Sequence, residues 1–252
     1  MLRIIKIGGS AVTAKNEPFK ARDDVINRLG QELKPAYPHM ILTHGAGSFG
    51  HPIVVKQKLH IEIKGFEKIL GISYTKYWVN ELMQKIMKSL IDTGIPVFPF
   101  FASSFAILEN DRIKDMFIEP IKRFLSFKIV PLLPPDGSFD IAKNMPRIVS
   151  GDYLAYLLAK YFNAKEVIFT LDVDGLYNEG KLLEEVSKDD LHNLINKIST
   201  ETDATGGMRG KLYWVLKILE ENIPVTFINL TIPNRLRRYL SGEDVTCTRF
   251  VP

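Results

Sequence analysis

Lys6-Ile7-Gly8-Gly9-Ser10 puts an ammonium near the end of a short apolar run, with two glycines directly behind it. A lysine so placed is costly unless it meets an anion or reaches water. Glycines there let the backbone turn tightly and bring its N–H groups close to a ligand. Lysine, strand end and glycine pair together can grip a phosphate at a strand's carboxyl end. The plainer reading is a lysine whose head snorkels to water before an ordinary turn.

His44-Gly45-Ala46-Gly47-Ser48-Phe49-Gly50-His51 also follows an apolar run and matches G-x-G-x-x-G. A dinucleotide fingerprint belongs in the first βα unit, with an acidic residue about 20 positions on at the end of the next strand. Here the loop follows the second strand, and Glu62 and Glu67 lie in a stretch, 56–69, with no clear strand. A nicotinamide oxidoreductase is therefore the weaker alternative. Two glycine loops facing each other suit polyphosphate.

Ser150-Gly151-Asp152 opens a helical pattern. Serine and aspartate suit a helix start in any protein, but Asp152 could also orient phosphate-gripping lysines by charge-assisted hydrogen bonds. Thr170-Leu171-Asp172-Val173-Asp174-Gly175 is either a plain turn or the rim of a nucleotide pocket. Asp203-Ala204-Thr205-Gly206-Gly207-Met208-Arg209-Gly210-Lys211 runs a glycine pair into a helix, whose N-terminal N–H groups and dipole favour phosphate. Lys211 stands in that first turn, where a cation is otherwise unfavourable, and this points to function.

Six short β-favouring runs must position these groups: 2–7, 40–44, 96–101, 128–133, 166–171 and 224–229. Helix-like segments at 23–34, 76–92, 116–127, 152–162 and 211–222 separate them. That alternation predicts an α/β fold, a three-layer αβα sandwich around a mainly parallel sheet. The segment 105–114 predicts a hairpin turning at Asn110-Asp111, and 136–148 a longer excursion. One domain over 1–252 is expected, with an acceptor lobe over about 1–149 and a nucleotide lobe over about 150–252.

Composition narrows the classes. With 252 residues, 46% hydrophobic and 25% charged, the chain has ample material for a core. A net charge of +4 is too mild for a nucleic-acid footprint. Cys247 is the single cysteine, so no internal disulfide is possible, and it is read as a small residue in a terminal strand. No run approaches the roughly 20 apolar residues of a membrane helix and no signal-peptide pattern is evident. A cytoplasmic protein without nucleic-acid or membrane partners is expected.

In this order, the five elements resemble the amino-acid-kinase superfamily, and the likeness spans residues 6 to 211. Within it the chain is most similar to archaeal-type isopentenyl phosphate kinases, through His51, Lys15 in the segment Gly8–Asn16, and Ala102-Ser103-Ser104-Phe105. The resemblance implies an ATP-dependent kinase with Mg²⁺, a small phosphate-bearing acceptor, and a homodimer. It assigns Lys6, Lys15 and Lys211 to the transferring phosphates, His51 to the acceptor phosphate, and Asp152 to organising the lysines. It puts Gly8, Gly9, Ser10, Gly47, Gly50, Gly206 and Gly207 around the phosphates, and Thr170, Asp172, Asp174 and Gly175 beside the nucleotide. Ala46, Gly47, His51 and Gly151 fall on the acceptor side, with Ile72, Tyr74 and Trp78 as the acceptor's apolar wall. Tyr77 and Met83 are further candidates there. No metal-ligating side chains are assigned. The pattern departs from the family at Ala14, where an aspartate is expected before Lys15, and at Leu171 in Thr170-Leu171. It departs again at Pro134-Pro135, where Pro135 cannot supply the N–H of the expected glycine. Carboxylate, carbamate and nucleoside monophosphate acceptors stay open, as does a nucleotide sensor.

Overall fold

The computed structural model describes residues 1–61, 63, 65–197 and 207–252. Its strands are β1 (Arg3–Ile7), β2 (Met40–His44), β3 (Val97–Pro99), β4 (Ala106–Glu109), β5 (Arg112–Met116), β6 (Val130–Leu133) and β7 (Asp136–Asp140). They continue as β8 (Met145–Val149), β9 (Glu166–Leu171), β10 (Tyr177–Asn178), β11 (Lys181–Leu182), β12 (Glu185–Ser187), β13 (Val225–Asn229) and β14 (Thr248–Val251). The helices are α1 (Gly9–Val12), α2 (Asp23–Leu33), α3 (His51–Lys56), α4 (Phe66–Asp92) and α5 (Ala102–Phe105). After them come α6 (Glu119–Ser126), α7 (Gly151–Phe162), α8 (Lys188–Lys197), α9 (Gly207–Glu220) and α10 (Arg235–Leu240).

The eight-stranded sheet runs β12-β14-β13-β9-β1-β2-β6-β3. β13, β9, β1, β2, β6 and β3 are mutually parallel, and only the β13–β14 pairing is antiparallel. β1, β2, β9 and β13 are almost wholly buried, as strands covered on both faces must be. Alternation along β1 sorts the two cores. Ile4 packs with residues of α7 and α9, whereas Ile5 and Ile7 pack with α2 and α4. The α/β fold with helices on both faces of a mainly parallel sheet is therefore observed.

On one side of β1 stand β2, β6 and the edge strand β3, and the later strands β9 and β13 fill the other side. The reversal falls between β1 and β9. In such sheets the crevice beyond the carboxyl ends of the strands at the reversal is where ligands bind.

The hairpin expected at 105–114 is β4–β5, with Asn110 and Asp111 both at positive φ in its turn. The excursion at 136–148 is a second hairpin, β7–β8, and the four strands form a separate sheet ordered β5-β4-β7-β8. Asp140 joins the two hairpins by accepting hydrogen bonds from the backbone N–H of Asn110, Asp111, Ala142 and Lys143.

The largest difference from expectation is α4, which starts at Phe66 rather than Lys76. Its first turns carry Gly71 and expose Phe66, Ile69 and Tyr74, so periodicity there gives little sign of a helix. Gly71 permits a close approach instead, since a Cβ there would overlap the Gln57 side chain.

Candidate active site

Three loops leave the sheet at its central carboxyl edge, after β1, β2 and β9. They pack directly on one another. A Cβ on Gly9 would stand 2.5 Å from the backbone nitrogen of Gly47, closer than any side chain tolerates. Thr13 ties the first two loops together, donating to the Gly9 carbonyl at 2.8 Å and accepting from the Ser48 N–H at 3.0 Å. The Gly8 N–H donates to Thr170 Oγ1 at 3.0 Å, joining the first loop to β9.

Lys6 alternates with Ile5 and Ile7 and so lies on the face covered by α7 and α9. Its Nζ stands 2.9 Å from Asp152 Oδ1, an ion pair whose alignment falls short of a hydrogen bond. Lys211, from the N-terminal part of α9, donates to Asp152 Oδ2 at 2.8 Å. Asp152 is the second residue of α7, whose start is capped by Ser150 Oγ accepting from the Tyr153 N–H. Gly151 lets this helix start approach the His44 carbonyl, where a Cβ would overlap it.

Burial governs the charges. Desolvation pulls the Lys6 ammonium down to about 8, partly offset by Asp152, with Lys211 lowering it further. Burial alone would raise the Asp152 carboxyl, but the Lys211 and Lys6 ammoniums beside it hold it well below the usual carboxylate range. The result is a buried carboxylate between two cations, a cluster that a further anion would complete.

The loop after β9 contributes Asp172, which receives Lys15 Nζ at 2.8 Å and Ser10 Oγ at 2.7 Å. Asp172 is held low in the same way, burial being outweighed by those two donors.

These groups surround a cleft of about 1150 Å³. Lys6, Lys15, Asp152 and Lys211 line it, as do Gly9, Ser10, Gly47, Gly50 and Gly207. Ala46, His51, Gly151, Asp172 and Ile72 line it too. Other expected residues stand elsewhere. Thr170 is fully buried and braces Gly8. Asp174 is held by Asn229 and Arg235, and Gly175 packs against Thr248. Tyr74 faces solvent. Trp78 stacks on Phe19 at 4.2 Å between centroids and packs against the core of the α2–α4 face. Neither ring is in the lining of the cleft, whereas Tyr77, 5.2 Å from Trp78 between centroids, does line it and Met83 is buried in the core. Gly206, with Asp203 and Thr205 of its motif, lies outside the described residues.

Sequence reasoning missed Lys76, which lines the cleft together with Asp136 and with Ser103 of the Ala102-Ser103-Ser104-Phe105 segment. Asp136 follows the Pro134-Pro135 departure directly, but its lysine partner is 60 residues away and nothing in either segment signals the pairing.

The sequence model of the amino acid kinase family matches residues 1–229. The chain belongs to the amino acid kinase family. Among members of this family it is 32% identical, over 98% of its length and 97% of the relative's, to the isopentenyl phosphate kinase of Methanothermobacter thermautotrophicus. It is 33% identical to an acetylglutamate kinase of Bacillus cereus, over 90% and 89% of the two chains. A solved isopentenyl phosphate kinase structure superposes over the whole of both chains with a TM-score of 0.85 at 28% identity. Among the described residues of this family member, no helix is long and apolar enough to cross a membrane.

Proposed function

We propose that the protein transfers the γ-phosphoryl group of ATP to isopentenyl phosphate, giving isopentenyl diphosphate and ADP. The observation that carries this reading is the Lys6–Asp152–Lys211 cluster at the floor of a cleft walled by two glycine loops. Full-length similarity to isopentenyl phosphate kinases, in sequence and in structure, selects the acceptor over the carboxylate of acetylglutamate kinases.

Donor and acceptor are both polyanions, and two unit charges about 4 Å apart repel by roughly 1 kcal/mol even in water. An acceptor monoester is already largely ionised near neutrality, its second pKa being about 6, so no strong base is required. An acceptor phosphate oxygen bonds to the γ-phosphorus, the bond from that phosphorus to the β–γ bridging oxygen breaks, and ADP leaves with the electron pair. What this chain supplies is alignment and positive charge. In this reading Lys6, Lys15 and Lys211 face the transferring group. The N–H groups of Gly9, Ser10 and Gly47 take phosphate oxygens with Gly207 beside them, whereas the N–H of Gly8 is held by Thr170 and that of Gly50 by the Gly47 carbonyl. Asp152 keeps two of the lysines charged and fixed. His51, with Ala46 and Gly151, holds the acceptor phosphate. Asp172 lies toward the nucleotide. Among the described residues no three His, Cys, Asp or Glu side chains gather to hold a metal ion. Mg²⁺ would therefore enter on the phosphates of ATP, where it neutralises charge.

A cytoplasmic homodimer with a nucleotide lobe and an acceptor lobe belongs to the same reading. The deciding experiment is a coupled ADP-release assay with isopentenyl phosphate, acetylglutamate, carbamate and UMP, on the parent protein and Lys211→Ala. Turnover greatest with isopentenyl phosphate is expected, lowered about 10²-fold or more in the variant, as for loss of a transition-state donor. Preference for another acceptor, or an unchanged variant, rejects the assignment or the role.

A further inference from the structure

A second, partly buried ion pair lines the cleft away from the Lys6–Asp152–Lys211 cluster. Lys76 Nζ of α4 lies 2.6 Å from Asp136 Oδ1 at the start of β7. The other carboxylate oxygen accepts from the Ser103 N–H at 2.9 Å and the Ser103 hydroxyl at 2.7 Å. Asp136 is therefore fully engaged, and its side chain is 2% exposed. Lys76 stands 3.8 Å from the centroid of the Phe101 ring and is 32% exposed. Lys76 lines the cleft.

The helix gives this pair a position along the cleft. Ile72, Lys76 and Val79 share one face of α4 at helical spacing, and all three line the cleft. Val79 marks the phosphate end, since a Cβ on Gly50 would stand 3.2 Å from its Cγ2. Ile72 marks the far end, where a Cβ on Gly137 would stand 4.0 Å from its Cγ2. At 1.5 Å per residue, Lys76 lies about 4.5 Å along the axis from Val79, and Ile72 about 10.5 Å. An extended chain advances about 3.5 Å for every three bonds. A five-carbon tail, four bonds beyond its ester oxygen, therefore spans about 5 Å by the same measure. A ten-carbon tail spans about twice that and must run alongside Lys76.

We infer that the Lys76–Asp136 pair is a specificity-determining polar stop, which makes the cleft favour tails that end one helical turn from the glycine loop. A longer apolar tail would strip water from the exposed part of the Lys76 side chain and leave its charge less solvated, with no new partner in return. A short tail leaves that water in place. The inference rests on the acceptor reading given above and deepens it. It sets the cost of desolvating a charge beside the bulk of Tyr77, which lines the cleft, in place of Tyr74 and Trp78, which do not.

The test is kcat and KM for isopentenyl phosphate and for a ten-carbon prenyl monophosphate. The proteins are the parent, Lys76→Met, Lys76→Gln and Lys76→Arg, each with a melting curve. The parent should favour the five-carbon acceptor by at least about 100-fold in kcat/KM, within the 10- to 200-fold that a single methylene can decide. Lys76→Met should close that gap by about 30-fold or more, mainly through a lower KM for the long acceptor, an effect structural damage would not produce. Lys76→Gln keeps a donor for Asp136 and should fall between, and Lys76→Arg should keep the parent ratio. A parent that uses both lengths equally overturns the stop without any variant, as do folded Met and Gln variants whose ratio moves less than about threefold. Turnover of neither length by the parent overturns the acceptor reading itself.

Discussion

At the scale of single residues, the chemistry turns on a lysine whose charge is held loosely. Lys6 is buried and titrates at about 8 in the free protein, below the ordinary lysine value, because desolvation disfavours its ammonium. Below that pH Lys6 is charged and can meet phosphate; above it the cluster loses a cation. The profile of kcat/KM, which reports the free enzyme, should therefore fall as pH rises through about 8. Bound polyphosphate favours the ammonium and raises its pKa, so the falling limb of kcat should lie at higher pH than that of kcat/KM. Coincident limbs would mean that Lys6 does not sense the substrate's charge. Lys6, Asp152 and Lys211 were legible as candidates from residue type and spacing, Lys15 only from the family resemblance, and all four line one cleft. The Lys76–Asp136 pair was not, because a helix face and a hairpin 60 residues apart carry no mutual signal in the chain.

At the scale of elements, the site depends on how closely two glycine loops approach. Thr13 is the bridge, since one hydroxyl both donates to Gly9 and accepts from Ser48. Thr13→Val keeps the shape but leaves a buried N–H and a carbonyl without that partner, a loss of about 1–3 kcal/mol for such a group. We expect Thr13→Val to lower unfolding free energy by that order and to raise KM for ATP, with Thr13→Ser close to the parent in both. Denaturant titration and initial rates measure the two effects. A destabilised variant with unchanged KM would show that the loops reach their binding geometry without the bridge. Most strands were legible here, since β1, β2, β9 and β13 are apolar runs of the right length between breakers. The first turns of α4 were not. Gly71 and a series of exposed apolar side chains hide a helix whose inner face meets the hairpins only after folding.

At the scale of the whole molecule, the cleft is bounded by residues from both ends of the chain, with Lys6 on β1 and Lys211 on α9 held by one carboxylate on α7. Nucleotide binding should therefore stabilise the protein as a unit. A non-hydrolysable ATP analogue with Mg²⁺ at a hundred times its Kd adds about 2.7 kcal/mol. For a chain of about this size that corresponds to a rise in Tm of roughly 5–11 °C. A thermal-shift titration measures it, and a rise below about 2 °C at saturation would mean that the nucleotide leaves the cluster largely untouched.

The amino-acid sequence by itself determined the class of fold, because apolar strands alternating with amphipathic helices can bury both faces of a sheet in few other ways. It also pointed to most of the lysines and glycines that line the cleft, since these stand at strand ends and helix starts, within a few residues of the backbone that places them. The tertiary structure decided the rest. Trp78 went to the core and Tyr74 to solvent because the phase of α4 is set by its packing against α2, α3 and the glycine loop. Lys76 came to face Asp136 because a separate four-stranded sheet carries that carboxylate to the cleft. Contacts between distant segments follow from packing, and packing is a property of the folded chain rather than of any local run of residues.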